Sequence, residues 1–346
     1  MRLRRKAPTL IAVSMGDPAG VGAEIILKAA AALAPRRGAP ALLVIGDLGA
    51  MRAAATRLDG VPKPLEWRVG EPPIRLERGL AVLPASRLAA TALRPGCPTV
   101  AGASAAYDYI AAGARMALGG KVDALVTAPI NKDWLNRAGH HFPGHSEILA
   151  KAAGVKLWRM MFAGDLLRLA LVTVHIGLAK VPAALSSRGV FDTVALLAAH
   201  LRESLGVASP RIGVLGLNPH AGENGLFGDE EARVIAPAIR RAQKDGIEAF
   251  GPLAPDTAFI RPRGEFAFDA AVAMYHDQGL IALKTLEFDR AVNVTLGLPF
   301  IRTSPDHGTA LDIAGRGTAN ASSMIAAIEY AWRTASARQG MASRAA

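Results

Sequence analysis

The side chains best suited to chemistry are concentrated in residues 274–320. His276 is followed directly by Asp277, and an imidazole beside a carboxylate can hold a divalent cation. Arginine offers a planar fork of hydrogen-bond donors and lysine a compact positive charge, so both suit a small anion. A lysine, an asparagine and an arginine follow at short intervals: Lys284, Asn293 and Arg302. Either charge alone would be a solvated surface group, but their grouping with His276 predicts a metal ion beside an anion site.

Three of the eight histidines lie where apolar stretches that predict strands come to an end. The stretches are 167–178, 211–225 and 266–279, and the histidines are His175, His220 and His276. In open α/β sheets, ligands bind at the carboxyl ends of the strands. A single neutral histidine usually has a structural role, because its ring donates to a backbone carbonyl. Three histidines at equivalent strand ends favour a shared metal site.

A second anion site is predicted at Gly144-His145-Ser146-Glu147, where a helix begins. Helix N-termini bind anions through free N–H groups and the helix dipole, so His145 and Ser146 could hold a phosphate or a carboxylate. The structural alternative is that Ser146 is an ordinary N-cap.

The composition predicts a folded α/β protein of one large or two medium domains. The chain has 346 residues, of which 51% are hydrophobic and 5% aromatic. No apolar run approaches the roughly 20 residues of a membrane span, and we interpret the start as a strand rather than a signal peptide. The single cysteine, Cys97, excludes an internal disulfide framework and a thiolate metal cluster. A reducing compartment, by default the cytoplasm, is expected.

The net charge of +11 raises the alternative of a nucleic-acid-binding protein. The basic residues are dispersed along the chain, and the N-terminal group is the exception: Arg2, Arg4, Arg5 and Lys6. No aromatic residues are interleaved with the charges to stack on bases. A small anionic substrate explains part of the charge equally well, so neither nucleic acid nor membrane is expected as a partner.

Apolar strands alternate with helices along most of the chain. Strands are predicted at 9–15, 41–47 and 122–129, and helices after 20, from 48 and at 101–120. This alternation indicates a mainly parallel α/β sheet. The turn at 16–22 fits neither the dinucleotide fingerprint nor the Walker loop. A helix beginning near Asn320 is predicted to end in a frayed tail at 336–346.

Several long motifs resemble the PdxA family, the NAD-dependent 4-hydroxythreonine-4-phosphate dehydrogenases of vitamin B6 synthesis. They are GDPAGVGAE, VTAPINK, GHSE, VHI, NPHAGENGLFGDEE, GPLAPDT, YHDQG and RTSPDHGTALDIAGRG, and they span nearly the whole chain. The resemblance implies a two-domain fold like that of isocitrate and isopropylmalate dehydrogenases, with mainly parallel sheets and an active-site cleft between the domains. A cofactor-side domain is expected at 1–127 plus 281–346, and a metal, substrate and dimerisation domain at 128–280.

The resemblance implies roles for individual residues. His175, His220 and His276 would bind one divalent metal (zinc, magnesium or cobalt), with His276 supplied by the partner subunit of a homodimer. The phosphorylated substrate would be held by five residues: His145, Ser146, Lys284, Asn293 and Arg302. Ser146 departs from the threonine that many members have, although the hydroxyl is retained. That difference leaves room for a relative with another substrate.

The segment after Arg302 is similar to the adenosine-binding loop of isocitrate and isopropylmalate dehydrogenases. The cofactor-binding residues implied are His307, Gly308, Ala310, Asp312, Ile313 and Asn320. In such a loop the carboxylate of Asp312 would accept hydrogen bonds from ribose hydroxyls and repel a 2′-phosphate, which favours NAD over NADP. The alternative is that Asp312 caps a helix beginning near Gly315.

The reaction implied is oxidation of 4-hydroxythreonine 4-phosphate to a β-keto acid, which decarboxylates to 3-amino-2-oxopropyl phosphate. The acceptor of the hydroxyl proton is left open among Asp256, Asp277 and Lys284. One alternative is a catabolic relative that oxidises 4-phosphothreonate or 4-phosphoerythronate, or a dihydrodiol dicarboxylate. A three-histidine metal site could instead hydrolyse a phosphate ester, and such an enzyme would turn over without NAD.

Overall fold

The computed structural model describes residues 8–261 and 264–345, so the basic group Arg2, Arg4, Arg5 and Lys6 lies outside the described residues. The chain divides into two compact units. The first comprises Met1–Lys156 and Leu298–Ser336, and the second comprises Leu157–Gly297 and Ala337–Ala346.

Strands and helices alternate through the first 156 residues. In chain order they are β1 (Leu10–Ser14), α1 (Gly22–Leu33), β2 (Ala41–Asp47), α2 (Leu48–Ala55), β3 (Pro64–Glu66), β4 (Leu80–Ser86), α3 (Val100–Leu118), β5 (Ala124–Thr127), α4 (Lys132–Arg137) and α5 (His145–Ala152).

The middle of the chain begins with a hairpin and then alternates again. Its elements are β6 (Arg159–Ala163), β7 (Arg168–Leu171), α6 (Val181–Ala184), α7 (Ser187–Leu205), β8 (Ile212–Leu215), α8 (Ala236–Lys244), β9 (Ala249–Leu253), β10 (Ala270–Ala273), α9 (His276–Glu287) and β11 (Val292–Leu296). A π-helical turn, Glu231–Ile235, leads directly into α8. The last two elements of the chain are β12 (Ile301–Pro305) and α10 (Ser322–Ala345).

The first unit is built on six parallel strands in the order β3-β4-β2-β1-β5-β12. Every residue of β2 and of β5 is buried, as expected for parallel strands covered on both faces. Helix α3 packs on β1, β2, β4 and β5 through its small apolar residues. The carboxyl ends of the six strands therefore lie on one edge, where the loops that follow them meet.

The second unit has strands in the order β11-β6-β7-β10-β8-β9. The pairs β11–β6 and β6–β7 are antiparallel, whereas β7–β10, β10–β8 and β8–β9 are parallel. The core behind them is rich in leucine and phenylalanine, including Leu169, Leu171 and Phe268. The predicted mainly parallel α/β class is confirmed for the described residues.

The two units are bounded differently from the predicted domains of 1–127 plus 281–346 and of 128–280. Helices α4 and α5 pack on α3, which keeps residues up to 156 in the first unit. Strand β11 pairs with β6, with Asn293 opposite Phe162, which keeps 281–297 in the second unit. The functional roles assigned to the two parts remain predictions.

Two predicted boundaries were wrong. Strand β7 ends at Leu171 rather than near His175 as predicted, because the Thr173 N–H and Oγ both donate to the Met274 carbonyl and the chain turns there. The C-terminal segment is not a frayed tail, since α10 continues to Ala345. Arg338 anchors this part of the helix by donating from Nε and Nη2 to Oγ of Ser204 on α7.

Among the described residues, no single helix has the length and hydropathy to cross a membrane. One bent pair, Leu178–Ala184 with Ser187–Leu205, would suffice by length and composition alone.

His200 on α7 gives the second unit a pH-dependent stability. Burial, together with the positive charges of Arg338 and Arg168, lowers the pKa of His200 from 6.5 to about 4. The unfolded chain therefore takes up a proton between these two values that the folded chain does not. This contribution to stability is fully present above pH 6.5 and is lost as the pH falls towards 4.

We expect His200→Gln to flatten the acid side of the stability profile. The difference between the free energies of unfolding of wild type and variant should change by about 3 kcal/mol between pH 7 and pH 4. Urea unfolding at a series of pH values measures it, with the exposed His141→Gln as the matched control. If the free energy of unfolding depends on pH in the same way for wild type and His200→Gln, the lowered pKa of His200 is contradicted.

Candidate functional site

The three predicted metal-binding histidines lie in the second unit, after three neighbouring parallel strands. β10 pairs in parallel with β7 on one side and β8 on the other, so their carboxyl ends share an edge. His175 lies in the bend after β7, His220 in the turn after β8, and His276 is the first residue of α9. The His175 and His276 ring centroids are 5.9 Å apart.

His220 lies in a left-handed turn. Six consecutive residues have positive φ, with values of 51° at His220, 52° at Ala221, 83° at Gly222, 42° at Glu223, 55° at Asn224 and 96° at Gly225. For a residue with a Cβ this conformation costs about 1 kcal/mol. Glycine relieves the strain at two of the six positions, 222 and 225, and the other four residues carry a Cβ. Such a conformation persists where surrounding contacts impose it, and it is concentrated at functional sites.

Glu231, at the start of the π-helical turn, holds the segment that leads into this strained turn. Its Oε1 accepts the N–H groups of Leu217 at 2.7 Å and Asn218 at 2.8 Å, and its Oε2 accepts the Asn218 amide at 2.9 Å. Burial alone would raise the pKa of Glu231, but these hydrogen bonds outweigh burial and lower the pKa below its ordinary value. Glu231 is therefore ionised at neutral pH and holds Leu217 and Asn218 through these hydrogen bonds.

Gln278 links two of the histidine loops. Its Oε1 accepts the Met274 N–H at 2.6 Å, and its Nε2 donates to the Gly216 carbonyl at 2.6 Å. The Met274 carbonyl in turn accepts the Thr173 hydroxyl at 2.7 Å. The backbones that precede His175, His220 and His276 are thus joined by one chain of hydrogen bonds.

His276 has a carboxylate neighbour, as predicted from the sequence. Its Nδ1 is 2.7 Å from Oδ1 of Asp277. A carboxylate bound to one ring nitrogen favours the tautomer that presents the other nitrogen to a metal ion. Within one chain, however, the described residues contain no group of three His, Cys, Asp or Glu side chains that could hold a metal ion.

Arg302, on β12 in the first unit, is the largest fully buried side chain among the described residues. Its Nη2 donates to the Thr127 hydroxyl at 2.7 Å. Burial lowers the pKa of Arg302 to about 9, against the opposing effect of Glu147. The guanidinium therefore remains charged at neutral pH. A buried cation of this kind is suited to an anionic ligand.

His145 begins α5 in the same unit. Its Nε2 is buried and has no hydrogen-bond partner among the described residues. Burial, assisted by the positive charges of Arg302 and Lys132, lowers the pKa of His145 well below 6.5 despite a hydrogen bond with the Ala128 backbone. The ring is therefore neutral at physiological pH. If it donates to the Ala128 carbonyl, its second nitrogen is an acceptor for a ligand hydroxyl or ammonium.

The five predicted substrate-binding residues are divided between the two units. Ser146 is buried beside His145 in the first unit, together with Arg302. Lys284 lies on α9 and Asn293 on β11, both in the second unit. Lys284 Nζ lies 5.9 Å from the ring centroid of Phe288.

The predicted cofactor residues lie in residues 306–320, which we call the cofactor loop, between β12 and α10. No helix begins near Gly315, so the alternative that Asp312 caps a helix there is wrong. Asp312 is exposed, and Ala310, two residues earlier in the chain, has a φ of 43°. Asn320 Oδ1 accepts the Ser322 N–H at 2.9 Å, at the start of α10.

The other predicted cofactor residues and proton acceptors lie at exposed or partly exposed positions. His307 is exposed, and its Nδ1 lies 2.9 Å from the Gly308 carbonyl oxygen. Ile313 lies within the turn of the loop. Asp256 is exposed in the turn after β9, and Asp277 is the neighbour of His276.

Sequence reasoning missed Glu231 and Gln278, the residues that hold the histidine loops. The available signal was their position, since each lies near the start of the helical segment that follows a histidine motif. A polar side chain at such a position is well placed to bind the preceding loop. Asp17 was also missed. The structure shows that burial raises its pKa and that its Oδ2 is buried without a partner among the described residues.

Comparison with known proteins assigns the family. The model for "Pyridoxal phosphate biosynthetic protein PdxA" matches residues 39–331. The 4-hydroxythreonine-4-phosphate dehydrogenase of Geobacter metallireducens is 49% identical over 326 residues, which cover 92% of this chain and 93% of the relative. A Bradyrhizobium diazoefficiens relative, provisionally named D-threonate 4-phosphate dehydrogenase, is 44% identical over 342 residues, covering 94% and 96%.

The crystal structure of 4-hydroxythreonine-4-phosphate dehydrogenase from Klebsiella pneumoniae has a similar fold. It superposes with a TM-score of 0.83 at 40% identity, covering 94% of this chain and 99% of that one. Both the extent of the family match and the identity across almost the whole chain agree with the motifs described above. The chain belongs to the PdxA family.

Proposed function

We propose that the protein oxidises 4-(phosphooxy)-L-threonine with NAD in pyridoxal phosphate biosynthesis. The product is a β-keto acid that loses carbon dioxide to give 3-amino-2-oxopropyl phosphate. The observation that carries this proposal is the 49% identity to a 4-hydroxythreonine-4-phosphate dehydrogenase over 92% of the chain. The buried Arg302 and the neutral His145 provide the polar surroundings that a phosphorylated amino acid needs.

We propose that His175 and His220 of one protomer and His276 of the partner subunit bind one divalent metal ion: zinc, magnesium or cobalt. The donor set fits zinc and cobalt best, because imidazole suits these two metals whereas magnesium prefers oxygen ligands, and Asp277 supports the His276 ring. A cation bound there would supply Lewis-acid chemistry, lowering the pKa of the substrate hydroxyl and stabilising the enolate formed on decarboxylation. The turn gives His220 a left-handed backbone conformation, with a φ of 51°.

A homodimer is supported by exposed apolar side chains around α9. Ile281 is 67% exposed and Phe288 70% exposed, and Leu178 near the His175 loop is 66% exposed. Ile281 lies on α9 and Phe288 directly follows it, and exposed apolar side chains of this size are characteristic of protein interfaces. Because His276 begins the same helix, a dimer interface on α9 would bring it to the partner subunit.

We propose that Arg302, His145 and Ser146, together with Lys284 and Asn293, hold the substrate. The planar guanidinium of Arg302 can bind two phosphate oxygens, and its burial excludes competing water. Neutral His145 accepts a hydrogen bond from a substrate N–H or O–H group. The proton acceptor is proposed among Asp256, Asp277 and Lys284, of which Asp277 also orients His276.

NAD is proposed as the oxidant on the basis of the cofactor loop. The exposed carboxylate of Asp312 can accept hydrogen bonds from the two ribose hydroxyls and would repel a 2′-phosphate. The remaining contacts are proposed for His307, Gly308, Ala310, Ile313 and Asn320.

A second candidate is oxidation of D-threonate 4-phosphate or 4-phosphoerythronate. It is favoured by the 44% identity to the Bradyrhizobium relative. Both candidates use the same phosphate, metal and cofactor contacts. They differ at the substrate carbon that carries either an ammonium or a hydroxyl group.

The purified dimer with 4-(phosphooxy)-L-threonine is expected to form NADH, measured by its absorbance. Removal of divalent metal with a chelator should reduce the rate by about 100-fold or more, and one of the three metals should restore it. NADP should be used at least about tenfold less efficiently. Undiminished turnover after chelation would refute the metal site. Substrate breakdown without any NAD would indicate the phosphate-ester hydrolase instead.

A further inference from the structure

Side chains of α1 bind the backbone of the cofactor loop, and both elements belong to the first unit. Glu24 Oε1 accepts the Ala319 N–H at 2.8 Å, and its Oε2 accepts the Gly317 N–H at 3.3 Å. Lys28 Nζ donates to the carbonyls of Gly317 at 2.8 Å and Ala319 at 2.7 Å. Lys28 also donates to Glu24 at 2.9 Å. Two side chains therefore bind both polar backbone groups of two loop residues.

These contacts are largely shielded from water. The Glu24 side chain is 6% exposed and that of Lys28 27%. Hydrogen bonds with a charged partner are stronger than neutral ones, and low exposure preserves that difference. The backbone at 317–319 belongs to no strand or helix, and this pair provides hydrogen-bond partners for the N–H and C=O groups of Gly317 and Ala319.

The other end of the cofactor loop is held by the residues just before α1. The Val21 N–H donates to the Thr309 carbonyl at 3.0 Å. At Gly20 an added Cβ would lie 3.0 Å from that same carbonyl oxygen, so glycine permits the close approach. The segment 20–28 thus binds the loop at Thr309 and again at 317–319, on either side of Asp312.

We propose that Glu24 and Lys28 are positioning residues for the dinucleotide, which they serve by fixing the cofactor loop before NAD binds. The proposal rests on the proposed function, because it takes Asp312 and its neighbours as the NAD contacts. It also gives a role to the motif GDPAGVGAE, which has no phosphate-binding pattern of its own. An ordered loop binds more tightly because the ligand does not have to immobilise it.

Two substitutions test the pair with little change in size. Glu24→Gln places an amide donor where the carboxylate accepts from Gly317 and Ala319, and Lys28→Met removes every donation while keeping an unbranched chain of similar length. We expect each to raise the Kd for NAD about tenfold, measured by calorimetry on the metal-loaded dimer. The kcat at saturating NAD and the KM for 4-(phosphooxy)-L-threonine should stay within about twofold of wild type.

Further variants separate positioning from general stability. Lys28→Arg keeps a charged donor and should recover most of the affinity that Lys28→Met loses. Asp133→Asn breaks an exposed ion pair of the same i, i+4 spacing with Arg137 on α4, and should leave NAD binding unchanged. Hydrogen exchange of the free enzyme should become faster at residues 309–320 in Glu24→Gln and Lys28→Met, but not in Asp133→Asn.

The outcomes distinguish this proposal from the proposed function. Wild-type affinity for NAD in both Glu24→Gln and Lys28→Met would overturn the positioning role alone. A fall in kcat with unchanged NAD affinity would also overturn it. A wild-type protein that does not bind NAD would overturn the proposed function, and the positioning role with it.

Discussion

His175→Ala and His276→Ala are each expected to be inactive alone, and to regain activity when the two variants are mixed. Loss of one of three ligands should lower turnover by about 1,000-fold or more, because the metal would no longer be held at the site. If His276 comes from the partner subunit, a mixed dimer has one doubly altered site and one intact site. Random mixing makes about half of the dimers mixed, so about a quarter of wild-type activity should return.

His220→Ala supplies the matched control for this experiment. Mixed with His276→Ala, it should also restore about a quarter of the activity, because His175 and His220 belong to the same half-site. Mixed with His175→Ala, it should restore nothing. Measuring bound metal and NADH formation after unfolding and reassembly separates the outcomes. No recovery in any mixture would contradict the shared site and would assign His175 and His276, whose rings lie 5.9 Å apart within one chain, to the same subunit's site.

Arg302→Met is expected to lower kcat/KM by about 1,000-fold, mainly through the KM for the phosphorylated substrate. The guanidinium is buried and charged, so its loss leaves the phosphate without its principal cation. Arg302→Lys keeps a charge but not the planar fork, and should lose about 100-fold. Steady-state kinetics at saturating NAD measures both.

Thr127→Val is the control for the Arg302 variants. It removes the hydroxyl that accepts from Arg302 Nη2 at 2.7 Å and leaves the charge in place. The expected loss is about tenfold, typical of one hydrogen bond to a charged group. An Arg302→Met enzyme with a normal KM would show that the buried guanidinium has a purely structural function.

The parallel sheets could be predicted because their strands are continuously apolar and are separated by helices with clear periodicity. β2 and β5 are buried along their whole length, as their sequences indicate. The end of α10 could not be predicted, because nothing local distinguishes its small polar residues from a tail. The contact of Arg338 with Ser204 links residues that are far apart in the sequence.

The candidate site was predictable at the level of residue types but not of geometry. Histidines after apolar stretches indicated an edge of the sheet, and β7, β10 and β8 do place their loops on one edge. The left-handed turn at His220 was not foreseeable over its whole length, because alanine and glutamate rarely adopt positive φ and only Gly222, Asn224 and Gly225 hint at it. The Glu231 carboxylate holds the segment that leads into the turn, and its contacts with Leu217 and Asn218 depend on the folded structure.

The support of the cofactor loop was hidden for the same reason. Glu24 and Gly317 are 293 residues apart, and a helical Glu-Lys pair at i, i+4 spacing is ordinarily a surface ion pair. Only the fold shows that this pair faces a backbone segment instead of water.

The central claim is tested most directly by kcat/KM for NADH formation with 4-(phosphooxy)-L-threonine, D-threonate 4-phosphate and 4-phosphoerythronate, each measured on the same metal-loaded dimer. The proposed function predicts that the amino acid is preferred by about 100-fold or more, because a site that binds its ammonium group leaves buried polar groups unpaired with the other two. A preference for either sugar-acid phosphate, or no NADH from any of the three, would contradict it.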